Sequence, residues 1–129
     1  MHILIIGAAG MVGRKLTARL IADGVVLGKP IDRLTLVDVV NPDHPEGFSG
    51  SVVTSDADLS MPGEAEKLIG SRPDVIFHLA AIVSAEAELD FEKGYRVNLE
   101  GTRYLFDAST PPSERATPAP TSFEAKPSW

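Results

Sequence analysis

A doubly wound α/β fold, with a parallel sheet covered by helices on both faces, is what this 129-residue sequence predicts. Three observations predict it. Short β-branched runs alternate with helix-period segments through residues 1–108. The first run, Ile3 to Ile6, is apolar at every position, the pattern of a strand buried on both faces. That run then enters a glycine-rich turn that opens a helix, the arrangement of a phosphate-binding βα unit.

The elements follow in order. His2 to Ile6 forms the first strand, closed by Gly7. Beyond the turn, Val12, Leu16 and Leu20 recur every four residues, while Arg14, Lys15, Arg19 and Asp23 take the opposite face. This predicts an amphipathic helix, with Gly24 as its stop. Arg33 to Val39 (RLTLVDV) is the second strand. Asn41 to Gly47 reads as loop, since Pro42, Pro45 and the Asn/Asp residues break both periods. Ser51 to Thr54 is the third strand, and Ser60 with Pro62 opens a helix through Ile69, closed at Gly70. Asp74 to Leu79 (DVIFHL) is the fourth strand. A longer helix is expected from about Phe91 to Ala108, with Val97, Gly101, Leu105 and Ala108 along one small-and-apolar face.

Composition bounds the function. Twelve basic and 18 acidic side chains give a formal charge of −6, hydrophobic residues make up 43%, and there is no cysteine. That length fits one domain with one core. Lacking cysteine, the chain has no disulfide framework, thiolate zinc site or cysteine nucleophile. The acidic balance opposes binding to a nucleic-acid backbone. No apolar run reaches the roughly 20 residues of a membrane helix, and no signal peptide is recognisable, so a cytoplasmic protein is expected. Residues 111–129 differ from the rest: they are neutral overall and hold five of the ten prolines, with sparse, unperiodic apolar side chains. A folded body over 1–108 and a proline-rich disordered tail over 109–129 are therefore expected.

The turn reads Gly7-Ala8-Ala9-Gly10-Met11-Val12-Gly13, a G-x-x-G-x-x-G spacing between an apolar strand and an amphipathic helix. In a dinucleotide site Gly7 allows the sharp exit from the strand, and Gly10 lets backbone amides approach a pyrophosphate. Gly13 permits close helix–strand packing, and Ala9, Met11 and Val12 line the same approach. Asp38, 25 positions beyond Gly13, ends the second strand. A carboxylate there accepts from both adenosine ribose hydroxyls and repels a 2′-phosphate, so NAD is expected over NADP. Asp58 and Leu59 follow the third strand; Asp58 either meets the adenine amino group or caps the turn before Ser60. His78, inside an apolar strand, reads as a satisfied strand histidine rather than a base. Glu86, Glu88, Asp90 and Glu92 alternate without accompanying histidines, so they read as a solvated approach to a helix and no metal site is expected.

With the turn Gly7 to Gly13, the segment HLAA at His78 to Ala81 and VNLEGT at Val97 to Thr102, the chain resembles the extended short-chain dehydrogenase/reductases of the NAD-dependent epimerase/dehydratase type. The stretch Ala80 to Asn98 is similar to the group of that family that oxidises a D-erythronate-like sugar acid. The resemblance covers residues 1–108 and implies a Rossmann-type sheet of strand order 3-2-1-4, with NAD as cofactor. It places Leu79, Ala80 and Ala81 beside the nicotinamide-side ribose and phosphates, and Val83 and Ser84 in a substrate-side loop. Asn98 falls at the start of the active-site helix, where the family asparagine supports the catalytic lysine; the other reading is a polar residue satisfying local backbone.

Full members of the family also carry a serine on the next strand and a Tyr-x-x-x-Lys pair, the tyrosine serving as acid/base. Here Leu99 stands four after Tyr95, and Ala108 stands four after Tyr104, so neither tyrosine forms the pair. The resemblance thus implies the NAD-binding portion of an oxidoreductase acting on a secondary alcohol of a sugar acid, inactive alone and truncated near Ser109, with a frameshift as a simple cause. A fragment of a sugar-nucleotide epimerase/dehydratase, and a non-catalytic nucleotide-binding regulatory module, are the alternatives. The fourth strand, at the sheet edge, is expected to support self-association.

Overall fold

The computed structural model describes residues 1–80 and 96–111, the side chains of residues 96 and 97 excepted. Its elements are β1 (His2–Ile6), α1 (Met11–Asp23), β2 (Val25–Val26), β3 (Lys29–Pro30), β4 (Arg33–Asp38), β5 (Ser51–Asp56), α2 (Glu64–Gly70), β6 (Val75–His78), a π-helical turn (Arg96–Glu100) and α3 (Gly101–Ser109). Four strands make one sheet in the order β5-β4-β1-β6, all pairs parallel. These are the four strands expected from the sequence, in the 3-2-1-4 order of the Rossmann-type sheet.

The register decides where a ligand can sit. Ile6 pairs with Val37 on one side and with His78 on the other, so β1 and β6 end level and β4 ends one residue further, at Asp38. Gly7, Asp38 and Leu79 directly follow these paired residues, and all three therefore fall along one edge of the sheet. In open α/β sheets that carboxyl edge is where ligands bind.

Side chains of β1 alternate between two cores, as the strand period requires. Ile3 and Ile5 pack with Leu20, Leu34 and Leu36 on the α1 face. Leu4 and Ile6 pack with Val37, Leu59, Ala65 and Leu105 under α2 and α3 on the other. Every residue of β1 is buried. Each fully buried Ile or Leu contributes about 1.5–3 kcal/mol relative to an exposed one, before ordering entropy is subtracted.

Several elements differ from expectation. The buried stripe of α1 is Gly13, Thr17 and Leu20, whereas Val12 is 60% exposed. The stripe begins at Gly13 because that residue, lacking a side chain, rests on the backbone of Gly7 and Ala8. Gly24 ends the helix as expected, in the left-handed region (φ 68°) with its amide donating to Leu20 O. The hairpin β2–β3 was not expected. Its turn places Leu27 (φ 50°) and Gly28 (φ 75°) both at positive φ, and a leucine there hides the usual signal.

The second helix starts at Glu64 rather than at Ser60. Ser60 is held in a turn, its amide and hydroxyl both donating to Asp58 Oδ1, and the Met61 amide donates to Asp58 O. The third strand runs on to Asp56, two residues beyond the expected end. The expected long helix becomes a π turn followed by α3; its residues 91–95 lie outside the described residues. Gly101 and Leu105 are buried on its expected face, with Ala108 packed beside them. The expected boundary after residue 108 falls inside α3, and residues 112–129 of the expected tail lie outside the described residues. Among the described residues β6 pairs only with β1, and no helix is long and apolar enough to cross a membrane.

Candidate cofactor-binding site

The glycine turn is tied to the sheet before any ligand is considered. The amides of Gly7 and Ala8 both donate to Val37 O, at 2.8 and 3.1 Å. Gly7 sits at φ 91°, and a Cβ there would lie 2.7 Å from Ala80 N. Glycine at this position is demanded twice, by conformation and by the approach of the Leu79–Ala80 backbone. Gly13 closes the motif: a Cβ on it would lie 2.2 Å from Gly7 O and 2.7 Å from Ala8 Cα.

The start of α1 is left open. Gly10 is the N-cap, no side chain among the described residues caps the helix, and its first turn contains no acidic residue. The Gly10 amide donates to Gly7 O and the Arg14 amide to Gly10 O. The amides of Met11, Val12 and Gly13 have no acceptor among the described residues. Unpaired amides at the positive end of a helix form a site for an anion. Gly10, Met11 and Val12 are all exposed there, so a ligand can reach them.

Asp38 stands beside this opening, half-buried. Its Oδ2 accepts from the Ala9 amide at 2.9 Å and its Oδ1 from the Val39 amide at 2.7 Å. The carboxylate thus fastens the glycine turn to the end of β4. Each oxygen retains acceptor capacity for a further donor such as a ribose hydroxyl.

A recess opens next to Asp38, lined by Ile6, Ala57, Asp58, Leu59, Ser60, His78 and Ala80. It brings together four of the predicted cofactor residues: Asp38, Asp58, Leu59 and Ala80. Asp58 is exposed and its Oδ1 is committed to Ser60, so the turn-capping reading is the one the geometry displays. Leu59 is 8% exposed and packs against Leu4, Val37 and Leu105, so its side chain serves the core and only its edge meets the recess. Leu79 is exposed, with its amide donating to Ile6 O at 2.8 Å. Ala81, Val83 and Ser84 lie outside the described residues, as do Glu86, Glu88, Asp90, Glu92 and Tyr95. Among the described residues, no three His, Asp or Glu side chains are grouped to hold a metal. A wider cavity between α1 and the loop Asp43–Glu46 contains none of the predicted cofactor residues.

Sequence reasoning missed the partner of His78. Its Nε2 lies 2.9 Å from Thr102 Oγ1, and Thr102 Oγ1 donates to Asn98 O at 2.9 Å. Nδ1 of His78 is buried and has no partner among the described residues. The ring is therefore satisfied at one nitrogen only, and burial pushes its pKa below the ordinary imidazole value. Nothing local in HLAA announces a threonine 24 positions away.

A glycine turn leading into an uncapped helix, with a carboxylate at the end of the next parallel strand, is the architecture of a dinucleotide-binding α/β protein. Comparison with known proteins gives the family. Residues 3–116 match the NAD dependent epimerase/dehydratase family. D-erythronate dehydrogenase of Cupriavidus necator is 42% identical over 111 residues, spanning 83% of this chain and 34% of that protein. A nucleoside-diphosphate-sugar epimerase of Agrobacterium tumefaciens is 72% identical, with a TM-score of 0.82 over 84% of this chain and 32% of that one. A uronate dehydrogenase variant of the same organism, solved in complex with NAD, is 28% identical with a TM-score of 0.63, over 84% of this chain and 36% of its own. The chain belongs to the NAD dependent epimerase/dehydratase family, and it spans about a third of the length of these relatives.

Proposed function

We propose that this chain is the NAD-binding portion of an oxidoreductase acting on a secondary alcohol of a sugar acid. Residues 1–108 are its binding unit. The observation that carries this reading is the open start of α1, where the amides of the exposed Met11 and Val12 have no acceptor among the described residues and lie beside Asp38. Gly7, Ala9, Gly10, Met11, Val12 and Gly13 cradle the pyrophosphate, and the helix end supplies its partial positive charge. Asp38 accepts from the adenosine ribose hydroxyls and disfavours a 2′-phosphate. Asp58 and Leu59 border the adenine, while Leu79, Ala80 and Ala81 follow the nicotinamide-side ribose. Val83 and Ser84 face the substrate, and Asn98 supports the reacting end.

When bound, NAD is the hydride acceptor. The residues of this chain orient it but offer no Tyr-x-x-x-Lys pair to take the alcohol proton, so the chain alone is inactive. The names of the D-erythronate and uronate dehydrogenases support a sugar-acid substrate. A second reading, part of a sugar-nucleotide epimerase, is favoured by the name of the 72% identical relative. Isothermal titration tests the cofactor: weak binding of NAD, and weaker binding of NADP, is expected. Submicromolar affinity, or a preference for NADP, contradicts the reading. Turnover of NAD with aldonic acids contradicts the inactivity, and strong nucleotide binding without turnover favours a regulatory module. Self-association through the side of β6 that is unpaired among the described residues is read by sedimentation velocity, where a monomer at all concentrations refutes it.

A further inference from the structure

His78, Thr102 and Asn98 form a chain of hydrogen bonds that crosses from the sheet to the helix layer. His78 is the last residue of β6, paired in register with Ile6 and followed by the Leu79–Ala80 backbone that abuts Gly7. Thr102 lies in the first turn of α3, just beyond the π turn Arg96–Glu100 that contains Asn98. Such wide turns recur at functional sites, and they displace carbonyls from their ordinary helical partners.

The direction of each bond follows from counting hydrogens. A threonine hydroxyl has one hydrogen, and Thr102 donates it to Asn98 O. Toward His78, Thr102 Oγ1 can therefore only accept, so the ring hydrogen must sit on Nε2. A neutral imidazole carries one such hydrogen, which leaves Nδ1 a bare lone pair, buried and without a donor among the described residues. Protonating Nδ1 would bury an unpaired cation, and burial lowers the pKa accordingly. The tautomer is thus dictated by a backbone carbonyl of the π turn.

We propose that His78 is a positioning residue that, through Thr102, fixes the π turn bearing Asn98 to the carboxyl end of β6. The two walls of the cofactor cleft then hold one spacing. Without the latch, β6 and α3 would be joined, among the described residues, by apolar packing such as that of Ile76 with the Leu105 cluster, which tolerates sliding more than directed bonds do. This role rests on the reading of the cleft as an NAD site, but the latch itself is measurable without NAD.

Two pairs of variants isolate it. Thr102→Val keeps shape and removes both bonds, whereas Thr102→Ser keeps the hydroxyl. His78→Gln places an amide donor near the position of Nε2, whereas His78→Ala does not. Long-range 15N–1H spectra of the full chain are expected to show the neutral Nε2–H tautomer at His78, persisting below the ordinary imidazole pKa of about 6.5. Thr102→Val abolishes that signature and accelerates hydrogen exchange of the Gly101–Leu105 amides, and Thr102→Ser restores both. NAD affinity falls about three- to tenfold in Thr102→Val and His78→Ala, the loss of one ordinary hydrogen bond, and recovers in Thr102→Ser and His78→Gln. An Nδ1–H or charged ring, or unchanged exchange in Thr102→Val, overturns the latch whether or not NAD binds. If the latch is present but NAD affinity is the same in all four variants, the positioning role is overturned. A wild-type chain that does not bind NAD refutes the cleft reading and the positioning role, while the spectra and exchange still decide the latch.

Discussion

Gly13→Ala separates two physical effects of opposite sign. Gly13 lies within α1, where replacing glycine by alanine ordinarily stabilises a helix by about 1 kcal/mol. The same methyl, built on this backbone, would lie 2.2 Å from Gly7 O, 2.7 Å from Ala8 Cα and 3.0 Å from Ala8 C. All three are backbone atoms and none belongs to a flexible side chain. Nor can Gly7 readily retreat, since its amide bonds Val37 O at 2.8 Å and the Leu79–Ala80 backbone passes so close that a Cβ on Gly7 would lie 2.7 Å from Ala80 N. Overpacking of this kind costs about 1–3 kcal/mol, and a 2.2 Å approach belongs at the upper end. The expected net effect is a destabilisation of about 2 kcal/mol. Urea unfolding followed by far-ultraviolet circular dichroism should register it as a midpoint lowered by about 1 M, given slopes of about 1–3 kcal/mol per molar for small domains. Gly70→Ala is the control: this glycine is the last residue of α2, and a Cβ there meets nothing within 4 Å. That variant should be unchanged or up to about 1 kcal/mol more stable. A Gly13→Ala protein as stable as wild type would refute the close packing of α1 on its turn.

Three further outcomes follow from particular residues. Leu27→Asn should raise stability by about 0.5–1 kcal/mol in the same urea assay, because leucine at φ 50° is strained where asparagine is tolerated. Asp38→Asn should lower stability by about 1–2 kcal/mol, since a neutral amide oxygen cannot serve both the Ala9 and Val39 amides as the carboxylate does. It should also weaken NAD and narrow its margin over NADP in titration calorimetry. His2 is 7% exposed, its Nε2 lies 2.7 Å from Thr35 Oγ1, and burial, aided by the Arg33 charge, pushes its pKa below 6.5; burial does the same to His78. Depressed folded values mean that the unfolded chain binds more protons below about pH 6.5. Their stability contribution is complete above that pH and declines as pH falls toward the folded values, by at most about 1.4 kcal/mol per pH unit for each ring. Urea midpoints that stay flat from pH 7 to 5, or rise, would contradict the burial.

The sheet was readable from the chain because its strands are short and β-branched, and each is bounded by Gly, Pro or Asp. Ile3 to Ile6 could hardly be anything else. What was not readable depended on contacts between distant residues. Val12 fits the helical stripe by spacing, yet Gly13 takes the buried position because the turn backbone passes beneath it. Ser60 resembles a helix start, yet Asp58 captures both its donors and delays α2 until Glu64. The hairpin was invisible because its turn uses Leu27 where Asn would have announced it. At the cleft, Gly7 and Gly13 were legible because a Cβ on either would collide with backbone, and Asp38 because it ends the strand next to that turn. The His78–Thr102 pair was not, since a strand histidine and a helix threonine are each ordinary in isolation.

The bonds that assemble the cleft are also the bonds that close the fold. Asp38 would be a typical exposed ribose-binding carboxylate if it pointed only outward. Instead it accepts from Ala9 of the glycine turn while Ala57, after β5, donates to its backbone carbonyl at 2.9 Å. One residue thus joins the ends of β1, β4 and β5, and the turn's geometry is set without a ligand. The open amides of Met11 and Val12 inherit that rigidity, for the helix they begin is pinned through Gly13 to the same turn. Binding an anion there requires little reordering, which keeps the entropic penalty of association low. It follows that substitutions at Gly13 and Asp38 cannot be read by cofactor affinity alone. Stability and affinity must be measured together. A variant that loses both in proportion has lost the turn, and one that loses affinity at full stability has lost a direct contact.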